Sequence, residues 1–171
     1  MHINVEFKAH CNQPNKIKEI LKRENAEYRG RDHQIDIYFN VQNGRLKLRK
    51  GNIENSLIAY ERQDYAGAKQ SNVHLFNTAP GTNLEEILAT ALGVKVEVDK
   101  QRDIYFIGNV KFHVDKVEGL GSFIEVEAID AEGTIGKEKL QEQCDKYKSI
   151  LGVRDEDMIS HSYSDLLLQK N

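Results

Sequence analysis

The sequence contains little cysteine and no long hydrophobic run, and both absences narrow the classes of protein to which it can belong. Its two cysteines, Cys11 and Cys144, are too few for a disulfide framework, so we expect a reducing environment such as the cytoplasm. No apolar segment approaches the roughly 18 residues that a transmembrane helix requires. The first residues also lack the basic and then apolar pattern of a signal segment. We therefore expect a soluble, cytoplasmic protein with no membrane partner.

The sequence also lacks an excess of positive charge. Its 24 lysines and arginines stand against 27 acidic residues, which gives a formal net charge of −3. Proteins that bind nucleic acids usually carry a basic surface, so no nucleic-acid partner is expected. Charged residues nonetheless make up 30% of the 171 residues, so their placement matters more than their sum. The length predicts one domain over residues 1–171.

Hydrophobic periodicity predicts an α+β protein built on one antiparallel sheet. Alternation of apolar and polar residues predicts strands at 2–9, 34–41, 45–49, 56–62, 71–76, 95–107, 110–117 and 122–129. Helical spacing predicts helices at 14–25, 84–92 and 134–151, and residues 160–168 form an apolar tail that we expect to pack. Tight turns such as Asn43-Gly44 connect the strands, while 64–69 reads as a loop. We expect the sheet to close into an eight-stranded antiparallel barrel with the helices packed outside.

Most of the predicted strands have one charged face and one aliphatic face, and two arrangements fit this pattern. In the commoner one, the aliphatic faces form the core and the charged faces meet water. In the other, the charged faces line the interior of the barrel and the helices cover the aliphatic outside. Periodicity alone leaves both arrangements open.

The segregation of charge favours the second arrangement, because a solvated face normally mixes both signs. The cations are Lys8, Arg45, Lys47, Arg49, Arg62, Lys100 and Arg102, and the acids cluster separately at Glu6, Asp115, Glu125 and Glu127. Like charges buried without a ligand would be strongly unfavourable. The pattern therefore predicts a site in which the cations neutralise phosphate oxygens and the carboxylates hold a metal ion. His113 shares a face with Asp115, and the sequence leaves open whether it enters this site.

An ordered set of short segments carries a family resemblance over nearly the whole chain. The segments are Val5-Glu6-Phe7-Lys8, 44–49, Tyr60-Glu61-Arg62, Lys69-Gln70-Ser71, Lys100-Gln101-Arg102, 115–127 and 162–167. Each is weak alone, but the stretch 115–127 is specific and the order of the set is strong. The chain resembles the CYTH, or triphosphate tunnel metalloenzyme, superfamily, and within it the class IV adenylyl cyclases.

The resemblance implies a closed tunnel, a triphosphate ligand and Mg²⁺ or Mn²⁺ as cofactor. It assigns metal binding to the acids Glu6, Asp115, Glu125 and Glu127 and phosphate binding to Lys47, Arg49, Arg62, Lys100 and Arg102. We expect Lys8 and Arg62 to be the catalytic residues, which stabilise the charge that develops in the reaction. One departure is Asn4, where the family has the first glutamate of its N-terminal motif. An asparagine oxygen can bind a hard cation, but it lacks the charge of a carboxylate. A second departure is Lys47, since arginine is common there and lysine lacks its bidentate fork.

The resemblance leaves three functions open. A cyclase would convert ATP to cyclic AMP and pyrophosphate, and the Ser71 and Ser162-Tyr163 elements favour this branch. A triphosphatase would hydrolyse the terminal phosphate of an inorganic or organic triphosphate. A binding module would hold nucleotide or polyphosphate without turnover, because Asn4 replaces the glutamate. The expected partner is thus a nucleoside triphosphate or an inorganic polyphosphate, and association into a homodimer is left open.

Overall fold

The computed structural model of the protein describes residues 1–62 and 66–170. Its strands are β1 (His2–His10), β2 (Glu27–Phe39), β3 (Arg45–Lys50), β4 (Ser56–Arg62), β5 (Lys69–Asn77), β6 (Val94–Ile107), β7 (Val110–Val117) and β8 (Gly121–Asp130). Its helices are α1 (Pro14–Arg23), α2 (Leu84–Leu92), α3 (Lys137–Ile150) and α4 (Tyr163–Lys170), and Asp155–Asp157 forms a short 3-10 turn. Within the described ranges, no helix is both long and apolar enough to cross a bilayer.

The eight strands form one closed antiparallel barrel, as the sequence predicts. The order around the barrel is β1-β5-β4-β3-β2-β6-β7-β8. β1 and β8, which are far apart in the chain, pair so that Glu6 lies opposite Glu127 and Lys8 opposite Glu125. Closure therefore brings the N-terminal charged segment against the acidic strand near the end of the chain.

The hydrophobic core lies between the outside of the barrel and the helices. Phe7, Phe112 and Val126 are fully or almost fully buried against α1 and α3, to which Leu21 and Leu140 contribute. On another side, the outward side chains of β2 and β3 pack against α2. Burial of each such side chain contributes about 1.5–3 kcal/mol. Because the apolar faces are used on the outside, the charged faces point into the barrel.

The element bounds differ from the sequence prediction mainly at β2, which begins at Glu27 instead of residue 34. Residues 27–33 lack apolar alternation, but they pair with the second half of β6. Polar bonds replace apolar contacts there: Asp103 on β6 accepts from the Tyr28 hydroxyl at 2.7 Å and from Arg31 Nη2 at 3.0 Å. The apolar tail becomes helix α4. Part of the predicted loop at 64–69 falls on residues 63–65, outside the described residues.

Candidate active site

A cavity of about 610 Å³ runs through the barrel and is lined by the charged strand faces. Arg49 and Lys100, which carry charges that would normally seek water, are only 7% and 2% exposed. Most of the predicted site residues line this cavity: Glu6, Lys8, Lys47, Arg49, Arg62, Lys100, Arg102, Glu125 and Glu127. The inward orientation of the charged faces, which periodicity alone left open, is confirmed.

Asp36 on β2 gathers three of the predicted phosphate-binding cations. Its Oδ1 accepts from Arg49 Nε at 2.9 Å, and its Oδ2 accepts from Arg49 Nη2 at 2.9 Å. Lys100 Nζ donates to the same Oδ2 at 2.6 Å, and Lys47 Nζ lies 3.4 Å from it. Burial opposes ionisation of Asp36, but these three cations hold the pKa of its carboxyl well below the ordinary value. Asp36 was not among the site residues predicted from the sequence. It lies two residues before Tyr38 on the polar face of β2, and this position is the signal that could have found it.

A second carboxylate, Asp115 on the inward face of β7, fixes Arg102 beside the cavity. Arg102 donates through Nε to Asp115 Oδ1 at 2.8 Å and through Nη2 to Oδ2 at 2.7 Å. The hydroxyl of Tyr163, at the start of α4, also donates to Oδ2 at 2.7 Å. Both oxygens of Asp115 are thus engaged, and this residue does not line the cavity. The geometry gives it the position of a support for Arg102, whereas the sequence predicts a metal ligand.

Lys8 on β1 and Arg62 on β4 both line the cavity, close to the carboxylates of Glu6 and Glu125. Arg62 donates through Nη1 to Glu6 Oε1 at 2.7 Å, while its Nε and Nη2 are buried without a hydrogen-bond partner among the described residues. Lys8 Nζ lies 3.6 Å from the ring centroid of Tyr163 and 3.9 Å from Glu125 Oε2. Burial, aided by the charge of Arg62, lowers the pKa of Lys8 to about 8. Both side chains can therefore donate to an anion in the cavity.

Three side chains on β7 and β8 form the candidate metal centre. Ligand atoms of His113, Glu125 and Glu127 all lie within 4.8 Å of one another. His113 is 2% exposed, and neither of its ring nitrogens has a hydrogen-bond partner among the described residues. Burial and the nearby cations Arg102 and Lys111 lower the pKa of His113 to about 3, so the imidazole is neutral and can bind a metal.

The carboxylates of this cluster also fit a cation. Burial and the charges of Glu6 and Glu125 raise the pKa of Glu127 to about 7, a conflict that a divalent cation would relieve. Asn4, in place of the expected glutamate, donates through its amide nitrogen to Glu127 Oε1, and its own Oδ1 is buried with no hydrogen-bond partner in the part of the chain that the structure describes. Of the predicted metal ligands, Glu125 and Glu127 are therefore brought together with His113. Glu6 is adjacent but bonded to Arg62.

Arg45 is the predicted phosphate-binding cation that the structure places elsewhere. Its Nη2 donates to Asp165 Oδ2 at 2.8 Å, so it ties the end of β3 to α4. It does not line the main cavity. Arg45 lies on the same face of β3 as Lys47 and Arg49. It is the first residue of the strand, however, so it lies at the rim of the barrel.

The cavity is not charged throughout. The side chains of Ile53, Ile58, Val73, Leu75 and Ile129 line part of its wall. These residues lie on β4, β5 and β8 and in the β3–β4 loop (51–55). Their aliphatic surface adjoins the cationic region, so the cavity can hold a ligand that has both a phosphate part and an apolar part.

Comparisons with known proteins identify a matching family and proteins of the same fold. The family model described as the CYTH domain matches residues 2–163. A Methanocaldococcus jannaschii protein that bears the name "putative adenylate cyclase" is 23% identical, over 96% of this chain and 98% of its own. A solved protein of Pyrococcus horikoshii is 25% identical with a TM-score of 0.80, over 97% of this chain and 99% of its own. A Hippeastrum protein, described as an adenylyl cyclase candidate with a dominant triphosphatase activity, shares the fold at 11% identity and a TM-score of 0.61, over 99% of this chain and 95% of its own.

Proposed function

We propose that this chain, which belongs to the CYTH family, binds ATP with Mg²⁺ or Mn²⁺ inside its barrel and converts it to cyclic AMP and pyrophosphate. The observation that carries the proposal is the enclosed set of cations. Arg62 supports it most directly, because two of its buried donor atoms have no hydrogen-bond partner among the described residues. Buried donors are rarely left unpaired, so a ligand rich in acceptors accounts for them. A phosphate group supplies such acceptors, and arginine binds it in a forked geometry.

The charge of the cavity explains why a divalent cation is needed. Its lining carries the cations Lys8, Lys47, Arg49, Arg62, Lys100, Arg102 and Lys111 and the carboxylates Glu6, Asp36, Glu54, Glu125 and Glu127. Among the described lining residues, these seven cations exceed the five carboxylates by only two charges. A triphosphate carries more negative charge than this difference. The carboxylates near His113 would also repel it unless a metal ion stood between them.

His113, Glu125 and Glu127 are the residues that would hold the metal ion, by the fit described above. When bound, a divalent cation supplies charge neutralisation at the phosphoryl oxygens and acidifies a nearby hydroxyl. Lys8 and Arg62 donate hydrogen bonds to the oxygens on which negative charge develops. Catalysis of this kind depends on positioning and on preorganised donors, which the rigid barrel wall supplies.

The aliphatic part of the cavity supports a nucleotide over inorganic triphosphate. Its lining side chains, such as Ile58, Val73 and Ile129, offer nothing to a phosphate chain. They can cover the flat apolar face of a base, as ligand pockets usually do. In the cyclase reaction, the ribose 3′-oxygen attacks the α-phosphorus in line, the bond to the β-phosphate oxygen breaks, and pyrophosphate leaves.

Hydrolysis of the terminal phosphate is the second candidate. It is supported by the fold shared with the Hippeastrum protein, which is described as having a dominant triphosphatase activity. The same set of cavity cations would then hold the triphosphate so that a water molecule can attack the γ-phosphorus. Asn4 also supports a third candidate, a binding module, because the site has one carboxylate fewer than the family motif.

The experiment incubates the purified protein with ATP and, separately, with inorganic triphosphate, in Mg²⁺ or Mn²⁺. We expect cyclic AMP and pyrophosphate from ATP. Orthophosphate with ADP, or with pyrophosphate, would replace the cyclase by the triphosphatase, and tight binding without product would leave the binding module. The variant Arg62→Gln should lose binding, whereas Arg154→Gln, at an exposed arginine that pairs with the nearby acids Glu156 and Asp157, should not. Absence of binding of either ligand to the wild type would overturn all three functions.

A further inference from the structure

The β3–β4 loop carries a carboxylate, Glu54, into the cavity on a fixed backbone. Asp32, which is fully buried, accepts hydrogen bonds from the backbone nitrogens of the loop: Asn52 at 2.6 Å, Ile53 at 2.9 Å and Glu54 at 2.9 Å. A Cβ at Gly51 would lie 2.7 Å from the Asp32 carboxylate, so only glycine fits there without a shift. The loop is therefore built to hold the backbone of Glu54 at this point.

The side chain of Glu54 reaches cations on two different strands. Its Oε2 bonds to Lys111 Nζ on β7, and its Oε1 lies 3.7 Å from Arg49 Nη1 on β3. Gln34 Nε2 donates to the same Oε1 at 3.0 Å. Burial opposes the charge, but Lys111 and then Arg49 hold the pKa of Glu54 well below its ordinary value, so it is an anion at neutral pH.

The contact between Glu54 and Arg49 involves a nitrogen of the guanidinium that is not bonded to Asp36. Two of the Arg49 donor atoms, Nε and Nη2, are already bonded to Asp36. Its Nη1, which lies 3.7 Å from Glu54 Oε1, is not one of the atoms bonded to Asp36 and can donate to a phosphate oxygen. A phosphate oxygen that bridged this Nη1 and Lys111 Nζ would occupy the position of the Glu54 carboxylate.

We propose that Glu54 is a resident counter-anion that occupies an anion position between Arg49 and Lys111 and is displaced by the substrate polyphosphate. This inference rests on the proposed function, because it assumes that the cavity binds polyphosphate. The single negative charge of the carboxylate is shared between Arg49 and Lys111, and the side chain is 27% exposed, so it has space into which it can turn. Competition from Glu54 lowers the affinity for every polyphosphate, including the anionic product.

A structural strut is the opposing interpretation. In that case Glu54 holds Lys111 and Arg49 in the orientation that phosphate requires, and its removal weakens binding. The two interpretations predict opposite signs, so one measurement separates them.

The test is calorimetric titration of inorganic triphosphate in metal-free buffer, which measures binding without turnover. The variant Glu54→Gln keeps the size of the side chain but removes the charge and one of the two acceptor oxygens that Lys111 and Gln34 use. We expect it to bind about tenfold more tightly than the wild type, as the loss of one close charge pair allows. The control Glu61→Gln makes the same change of net charge at an exposed position on β4, and we expect an effect of less than about twofold because solvent and salt screen it.

A second substitution tests the partner. Lys111→Met should weaken triphosphate binding more in the Glu54→Gln background than in the wild type, because only there is Lys111 free of its carboxylate. Equal or weaker binding by Glu54→Gln, with an unchanged melting temperature, would overturn the inference and leave the strut. Where the wild type binds triphosphate only with Mg²⁺, the same comparison of variants is made in Mg²⁺ buffer. If the wild type and all variants fail to bind triphosphate in both buffers, the proposed function fails together with this inference. If the wild type binds and Glu54→Gln gains nothing, the inference alone fails.

Discussion

Substitution of Asp36 by asparagine removes the anion on which three buried cations depend. The change keeps the size of the side chain, but Arg49, Lys47 and Lys100 lose their common charged partner. Removal of one partner from a buried ion pair costs about 3–5 kcal/mol, because the remaining charge stays buried and uncompensated. For a chain of this length each kcal/mol shifts the melting temperature by about 2–4 °C, so Asp36→Asn should melt about 6–20 °C below the wild type.

The ligand should reverse part of this loss. A polyphosphate brings anionic oxygens to the cations that Asp36 has released, so the variant should gain more stability from triphosphate than the wild type does. A ligand present at 100 times its dissociation constant stabilises the folded state by about 2.7 kcal/mol. We expect the increase in melting temperature on addition of inorganic triphosphate to be larger for Asp36→Asn than for the wild type.

The pH dependence gives an independent measure. The pKa of Asp36 is lower in the folded protein than its ordinary value of 3.8. A group of this kind contributes stability above the unfolded pKa and loses it as the pH falls from there through the folded pKa. The difference in unfolding free energy between the wild type and Asp36→Asn should therefore be full at pH 7 and should narrow below about pH 4. Urea unfolding at both pH values measures it.

The matched control is Asp99→Asn on the neighbouring strand β6. Asp99 is 51% exposed and pairs with His33 at 2.7 Å. Exposed pairs contribute about 0–1 kcal/mol, so this variant should melt close to the wild type. If Asp36→Asn costs no more than Asp99→Asn, or if triphosphate stabilises both equally, Asp36 does not organise the cations and the reasoning is wrong.

Three further substitutions test the metal centre, the end of the barrel and the outer core. Asn4→Glu places a third carboxylate beside Glu127, so it should lower the melting temperature in EDTA and raise the affinity for Mn²⁺. An unchanged affinity in a Mn²⁺ titration would show that Asn4 does not limit metal binding. Tyr163→Phe removes a donor from buried Asp115 and should cost about 1–3 kcal/mol in urea unfolding, whereas no loss would mean that the Arg102 fork suffices. Leu140→Ala, on the barrel-facing side of α3, should cost about 2–5 kcal/mol and leave the triphosphate affinity of the folded protein unchanged; a changed affinity would contradict the separation of core and cavity.

The sequence was sufficient to predict the architecture. Side chains on a strand alternate with period two, so the faces that carry Lys47 and Arg49 or Glu125 and Glu127 can be read locally. The separation of cations from acids then favoured an inward orientation. A solvated surface normally mixes the two signs, and a patch of one sign is costly unless it serves a ligand. The segment 27–33 escaped prediction because polar bonds to Asp103 replace the apolar periodicity there.

Only the tertiary structure decided which acid meets which cation. Asp36 and Lys100 are 64 positions apart in the chain, and Glu54 and Lys111 are 57 apart, so no local pattern records either pair. Their distances follow from the register of neighbouring strands and from barrel closure. Asp115 illustrates a second limit: the sequence marks a carboxylate on the correct face, but the register of the β6–β7 hairpin places Arg102 on both of its oxygens, and the packing of α4 adds the Tyr163 hydroxyl. Face and charge are local properties of a strand, whereas partnership is a property of the closed barrel.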